Sequence, residues 1–242
     1  MSGQSMSLPI DHDEPHGDNL ASRLNWLRAG VLGANDGIVS VAAIVVGVAG
    51  ATSSLRTILT AGLAGLFAGA MSMATGEYVS VSSQRDTEQA MLEVERRELA
   101  ETPEAELEEL TEIYARKGLS DRLARDVARE LTAHDALAAH ADAELGIDPD
   151  QLSNPWQAAL ASFVAFTVGA VLPLLAIGLP PHGWRIPVTF AAVVAALALT
   201  GVLSARLGAA PLWPAIRRNV VGGVLAMVVT YLVGRATGSL GA

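Results

Sequence analysis

Five apolar stretches, each long enough to cross a bilayer, constrain this chain more than any other feature. A helix needs about 20 mostly apolar residues to cross the hydrocarbon core. Short segments of turn-forming residues separate the first stretch from the second, the third from the fourth and the fourth from the fifth. The sequence therefore predicts an all-α membrane protein with five transmembrane helices, at roughly residues 29–51, 58–81, 156–179, 186–207 and 216–236.

Charge is distributed very unevenly along the sequence. Residues 84–150 carry 19 acidic and 8 basic side chains, whereas residues 152–242 contain five arginines and no acid. We therefore expect a cytoplasmic acidic domain inserted between the second and third transmembrane helices. The chain has no basic stripe of the kind that binds nucleic acid. The predicted divisions are a disordered polar tail (1–24), the first two transmembrane helices (25–83), the acidic domain (84–150) and the last three helices (151–242).

The basic residues also predict the orientation of the chain in the membrane. Loops rich in Arg and Lys stay in the cytoplasm, and the polar N-terminus does not have the pattern of a secretory signal. A cytoplasmic N-terminus keeps most of the basic residues inside and places the C-terminus outside. The composition, rich in Ala and Arg, favours a bacterial inner membrane. The chain has no cysteine, which excludes disulfides and thiolate metal sites.

Two acidic residues, Asp36 and Glu77, lie within or at the rim of the apolar stretches. A carboxylate inside the membrane costs at least ~2.5 kcal/mol and usually has a function. Asp36 lies about two turns into the first stretch, where it would bind and release a cation or a proton; a helix–helix hydrogen bond is the alternative. Glu77 is either a ligand at the mouth of a pore or an acid at the membrane interface.

Two methionines, Met71 and Met73, lie one to two helical turns before Glu77. A thioether is a soft ligand that suits late first-row metals better than Ca²⁺ or Mg²⁺. Methionine in a membrane helix more often serves packing. The presence of Asp36 in the neighbouring stretch favours the first interpretation.

The acidic segment has the pattern of three amphipathic helices, the first of which continues from the second transmembrane helix. Thr102 as N-cap and Pro103 at the first helical position begin the second of them. Gly118 ends this helix, and Gly146 ends the third, with a break near Asp135 as one possibility.

Pairs of possible metal ligands share a face on each of these helices. On antiparallel helices they would converge into a cluster of oxygen and imidazole ligands. A solvated acidic face, neutralised by nearby arginines, is the alternative, and the spacing alone leaves both open. The sequence contains no Glu-x-x-His motif in this segment, which argues against a ferritin-type di-iron centre. The pairs are Glu95 with Glu98, Glu106 with Glu109, and His140 with Glu144.

Several separated motifs resemble the vacuolar iron transporter (VIT) family, and they occur in that family's order. The resemblance extends from about Asn25 to the C-terminus. The motifs are ANDGIV at 34–39, GAMSMATGEYVS at 69–80, SQRD at 83–86, ELGI at 144–147 and NPWQAA at 154–159.

The resemblance implies a homodimer with five membrane helices per subunit and a pore at the dimer interface. It implies a non-enzymatic antiporter that exports Fe²⁺, and sometimes Mn²⁺, from the cytoplasm in exchange for protons, without an organic cofactor. By position, Asp36 and Met73 correspond to the pore ligands, and His140 stands where plant relatives have methionine. The metal-binding acids of the cytoplasmic domain correspond to Glu95, Glu98, Glu106, Glu109 and Glu144.

Two other classes of function remain open on the sequence. One is a membrane-anchored iron store or ferroxidase, in which the acidic domain is the active part. The other is a structural membrane protein whose acidic domain binds a partner, and which gives neither Asp36 nor Met73 a special role.

Overall fold

The computed structural model describes the backbone of residues 19–208 and 210–240 and the side chains from Gly30 onward. Within these residues the chain is all-helical, with no strand. Residues 1–18 of the predicted polar tail lie outside this range. Residues 19–24, the last six of the predicted tail, form the start of the first helix. The seven α-helices are α1 Asn19–Ala51, α2 Leu55–Glu101, α3 Pro103–Arg116, α4 Asp121–His140, α5 Pro155–Gly178, α6 Arg185–Leu207 and α7 Leu212–Leu240.

Five of the described helices are long and apolar enough to cross a membrane, which confirms the number predicted from the sequence. They are α1, α2, α5, α6 and α7. The helix α2 has 47 residues and is therefore about 70 Å long, more than twice the thickness of a bilayer core. Its apolar part coincides with the predicted span at 58–81. We treat only that part as membrane-spanning, because the remainder of α2 is rich in charged residues.

The chain forms two compact units. Of the described residues, one unit contains those between 19 and 69 and between 165 and 240, and the other is Ala70–Val164. The second unit therefore includes the predicted acidic segment together with the adjoining ends of α2 and α5. At the start of α5, the Asn154 side chain accepts hydrogen bonds from the backbone N–H groups of Trp156 and Gln157, at 3.0 and 3.3 Å.

Glycines allow the helices of the first unit to approach closely. A Cβ atom on Gly37 would overlap the Phe166 carbonyl oxygen of α5, and one on Gly169 would overlap the Ala34 carbonyl oxygen of α1. A Cβ on Gly65 would meet the side chain of Ile44 on α1. Gly37 and Gly65, which lie in the first two apolar stretches, thus serve close helix packing within one subunit.

The helices of the acidic segment begin and end near the predicted residues. Pro103 is the first residue of α3, and Gly146 ends the helical run after α4 with a left-handed φ of 64°. Thr102 is the N-cap residue of α3, as predicted, but its side chain makes no capping hydrogen bond. Its hydroxyl donates instead to the Glu98 carbonyl oxygen at 3.1 Å. The predicted break in α4 is confirmed at Asp135, whose φ and ψ are −156° and 99°.

The packing of α1 against α7 yields a first testable prediction. A Cβ atom on Gly234 would overlap the Gly47 carbonyl oxygen of α1, whereas one on Gly222 would meet nothing within 4 Å. We expect Gly234→Ala to destabilise the protein by about 1–3 kcal/mol, or several degrees in melting temperature. The control Gly222→Ala, on the same helix, should leave the melting temperature unchanged or raise it. Equal melting temperatures for the two variants would contradict this account of the α1–α7 contact.

Candidate metal-binding site

Four possible metal ligands converge in the second unit. Glu95 comes from the polar part of α2, Glu106 from α3, His140 from the end of α4, and Glu144 from the short π-helical turn Ala141–Leu145. One ligand atom from each residue lies within 4.8 Å of those from the other three. Three carboxylates and one imidazole therefore surround a common point.

Local helix patterns explain why these acids face inward. On α2, Glu95 follows the buried Leu92 by three residues, and both side chains are buried. On α3, Glu106 precedes the buried Leu110 and Ile113 by four and seven residues. Residues three, four and seven apart share a helix face, so each acid occupies a position that continues an apolar stripe.

The His140 ring lies at the centre of the cluster and is completely buried. Its Nδ1 atom is hydrogen-bonded to Glu144 Oε1 at 2.8 Å. The same nitrogen lies 3.1 Å from Glu95 Oε1 and 3.7 Å from Glu106 Oε2. A single ring nitrogen therefore faces three carboxylate groups. One N–H group cannot donate to all three with good geometry.

Two buried polar atoms of the cluster have no hydrogen-bond partner: Glu95 Oε1 and His140 Nε2. Oε1 is near His140 Nδ1, but the two atoms do not meet hydrogen-bond geometry. Leaving a buried polar atom unpaired costs roughly 1–3 kcal/mol. A divalent cation bound among the ligands would supply the partner that the Glu95 oxygen lacks.

Burial and mutual repulsion raise the pKa values of two carboxyl groups in the cluster. The pKa of Glu95 rises to about 7, first because the group is buried and then because Glu144 is negatively charged, while His140 opposes the shift. The pKa of Glu106 is also raised, mainly by burial and by the charge of Glu109. Both groups lie outside the membrane-spanning part of the chain. Ionising the cluster without a bound cation is therefore unfavourable.

Two of the predicted acidic ligands, Glu98 and Glu109, are not among the four residues that converge. Both side chains are exposed. Their charges still act on the site, since Glu98 contributes to the raised pKa of both Glu95 and Glu106. They lie at the rim, where they strengthen the negative potential at the cluster.

The predicted pathway residues are distributed over both units. In the first unit, Asp36 is exposed, and its Oδ1 atom accepts a hydrogen bond from Ser40 Oγ at 2.9 Å. Ser40 lies one turn later on the same helix, so this bond does not join two helices. Ser40 was not among the residues predicted from the sequence, although its spacing of four residues from Asp36 was a usable signal. In the second unit, Met71 is exposed, and Met73 and Glu77 are half-buried.

Sequence comparison with known proteins now identifies the family. The VIT family model matches residues 27–235. The chain belongs to the VIT family. A "Vacuolar iron transporter" of Acanthamoeba castellanii is 45% identical over 93% of this chain and 84% of its own length. The "Vacuolar iron transporter homolog 5" of Oryza sativa subsp. japonica is 39% identical over 94% of this chain and 89% of its own. The "Vacuolar iron transporter homolog 4" of Arabidopsis thaliana is 35% identical over 98% and 96%, respectively.

The raised pKa of Glu95 predicts how stability depends on pH in this VIT protein. Below pH 4.5 the carboxyl group is protonated in both the folded and the unfolded chain. Above pH 7 it must be ionised in both, which costs more in the folded state. Without metal, we therefore expect the wild type to lose thermal stability relative to Glu95→Gln as the pH rises from about 5 to about 8.

Melting curves of the purified full-length protein test this prediction at several pH values. Adding Mn²⁺ should stabilise the wild type more at pH 8 than at pH 5, because metal binding displaces protons from the ligands. Parallel pH profiles for the wild type and Glu95→Gln without metal would contradict the assignment of the raised pKa.

Proposed function

We propose that this protein transports a divalent metal ion, Fe²⁺ or Mn²⁺, out of the cytoplasm in exchange for protons. The observation that carries the proposal is the buried cluster of Glu95, Glu106, His140 and Glu144, in a chain with five candidate membrane helices. The names of the family's members support metal transport, since three relatives that align with nearly the whole chain are named as vacuolar iron transporters or their homologues.

The ligand set favours a transition metal over Ca²⁺ or Mg²⁺. Those two hard cations take oxygen ligands almost exclusively, whereas imidazole suits Fe²⁺ and other first-row metals. Three carboxylates with one imidazole can bind Fe²⁺ or Mn²⁺, and the charge of the carboxylates compensates that of the cation. The cluster thus binds the transported ion.

In this proposal the acidic segment lies in the cytoplasm and collects the metal. Its excess of acidic residues attracts cations and raises their concentration near the membrane. The chain is oriented with its N-terminus in the cytoplasm and its C-terminus outside, in a bacterial inner membrane. The cluster releases the ion when protons replace it on Glu95 and Glu106.

The ion then passes through the membrane along a pathway that contains Asp36 and Met73. Met71 and Glu77 lie on the same helix as Met73 and line the approach to it. Two copies of the chain enclose the pathway as a homodimer. Protonation of Asp36 from the far side of the membrane releases the ion there, so each transported ion is exchanged for protons.

Transport is tested with purified protein in liposomes that contain a metal-sensitive dye. We expect Fe²⁺ and Mn²⁺ to enter these vesicles faster than protein-free vesicles, and Ca²⁺ to enter no faster. Absence of metal entry, in protein that binds metal at the cluster, would contradict the proposal.

A membrane-anchored iron store or ferroxidase is the second candidate, favoured by the burial of the four-residue cluster. A ferroxidase consumes oxygen when Fe²⁺ is added, whereas a transporter does not. The cluster contains a single histidine, and the chain has no Glu-x-x-His motif in the acidic segment. We therefore expect no oxygen consumption above that of protein-free controls.

A further inference from the structure

The helix α4 is interrupted five residues before the metal cluster. Asp135 has φ −156° and ψ 99°, which are not helical values. The segment that follows contains His140 and Glu144 and ends at Gly146, which has a left-handed conformation. Half of the cluster is therefore on a short helical segment, 136–145, that has its own beginning and end.

The side chain of Asp135 caps this segment. Its Oδ1 atom accepts a hydrogen bond from the backbone N–H of Ala138 at 3.0 Å, three residues ahead. This is the bond that an N-cap residue makes. A helix of about ten residues is marginal in water without such support, so the cap contributes to holding the segment in place.

The break also decides which way the cluster residues point. The first half of α4 is buried at Ala124 and Ala128. At about 100° per residue, an unbroken helix would project His140 and Glu144 from a face about 160° away from these alanines. In the structure His140 is completely buried as well. The interruption at Asp135 thus lets two nearly opposite helix faces both point into the unit.

We propose that Asp135 is a positioning residue for the metal site: by capping segment 136–145 at the break, it aims His140 and Glu144 at Glu95 and Glu106. This inference rests on the proposed metal-binding role of the cluster. Asp135 is exposed and does not belong to the four converging residues, so it acts through the backbone of the segment and does not contact the ion.

Substitutions separate the capping bond of Asp135 from its charge. We expect Asp135→Ala to weaken Mn²⁺ binding by about tenfold, as is typical when a group that orients a ligand is lost. Asp135→Asn and Asp135→Ser should retain near-wild-type affinity, because both residues are good N-caps without a negative charge. The matched control is Asp126→Ala, on the exposed side of the first half of α4, which should bind as the wild type does.

The test is Mn²⁺ binding to the full-length protein in detergent, followed by electron paramagnetic resonance. Pulsed spectra report whether an imidazole nitrogen coordinates Mn²⁺. We expect this nitrogen signal in the wild type and in Asp135→Asn, and its loss or marked weakening in Asp135→Ala. In a His140→Ala/Glu144→Gln background, adding Asp135→Ala should have no further effect, because the residues that it positions are already absent.

The outcomes distinguish failure of the inference from failure of the metal site. If His140→Ala binds Mn²⁺ as tightly as the wild type, the proposed metal site itself is wrong. If His140→Ala binds weakly but Asp135→Ala retains both affinity and the nitrogen signal, the site stands and the positioning role is overturned. The role is also overturned if Asp135→Asn behaves like Asp135→Ala, or if Asp135→Ala weakens binding equally in the double-variant background.

Discussion

Asp36→Asn is expected to abolish metal transport while leaving the protein folded and its metal cluster able to bind Mn²⁺. Asparagine has nearly the same shape as aspartate but carries no negative charge and does not exchange a proton. A pathway that depends on Asp36 to hold a cation and then release it by protonation therefore stops. We expect transport to fall to the level of protein-free vesicles.

The control for this variant is Ser40→Ala, which removes the hydroxyl that donates to Asp36 Oδ1 and keeps the carboxylate. We expect this variant to retain transport, at a reduced rate. Melting temperature and Mn²⁺ binding, measured on the same preparations, check that both variants are folded. Transport by Asp36→Asn at the rate of the wild type would exclude Asp36 from the pathway.

Glu95→Gln is expected to lower the affinity of the protein for Mn²⁺ by about a hundredfold. It removes one of the four converging ligands and the charge of a side chain that is 4% exposed. Loss of a group that only orients a metal ligand already lowers metal affinity about 10–100-fold. Glu93→Gln is the matched control, since Glu93 lies two residues earlier on α2, is exposed, and pairs with Arg96 at 3.4 Å. Titration calorimetry of the full-length variants gives the two affinities.

Transport by Glu95→Gln separates collection of the metal from its conduction. A residue that only gathers the ion should affect transport at low metal concentration and lose its influence at saturating metal. We therefore expect a raised half-saturating concentration with a nearly unchanged maximal rate. Equal Mn²⁺ affinities for Glu95→Gln and Glu93→Gln would contradict the assignment of the cluster as the metal site.

The membrane helices could be predicted from the sequence because the lipid imposes a simple condition on it. Every backbone polar group inside the bilayer needs an internal partner, so an apolar stretch of about 20 residues has to be a helix. Local signals also located helix ends in the acidic segment, including Pro103 and Gly146. The continuation of α2 beyond its apolar part was also predicted correctly, because no strong helix breaker follows that part until Thr102-Pro103.

The candidate site was predictable only in part. Spacing selected six possible ligands, of which Glu95, Glu106, His140 and Glu144 converge. Residues three apart on a helix differ in direction by about 60°, so one member of a pair can face the interior while the other lies at the rim. Glu95 and Glu106 are distinguished from Glu98 and Glu109 by their apolar neighbours, because Glu95 and Glu106 each continue a buried apolar stripe.

The geometry around His140 was beyond the reach of helical spacing. It depends on the change of direction at Asp135, which a periodic pattern cannot quantify. It also depends on how α2, α3 and segment 136–145 pack together, which is decided by tertiary contacts. The break itself was foreseen, but its consequence for which face bears the ligands was not.

Metal movement driven by a pH gradient tests the central claim most directly. Vesicles with an acidic interior and equal Fe²⁺ or Mn²⁺ on both sides would carry one dye for metal and one for pH. The account predicts that wild-type protein accumulates metal inside while the interior becomes less acidic, and that Asp36→Asn prevents both changes. Dissipating the pH gradient beforehand with a protonophore should abolish metal accumulation by the wild type. Metal distribution that ignores the pH gradient in the wild type would contradict proton-coupled transport.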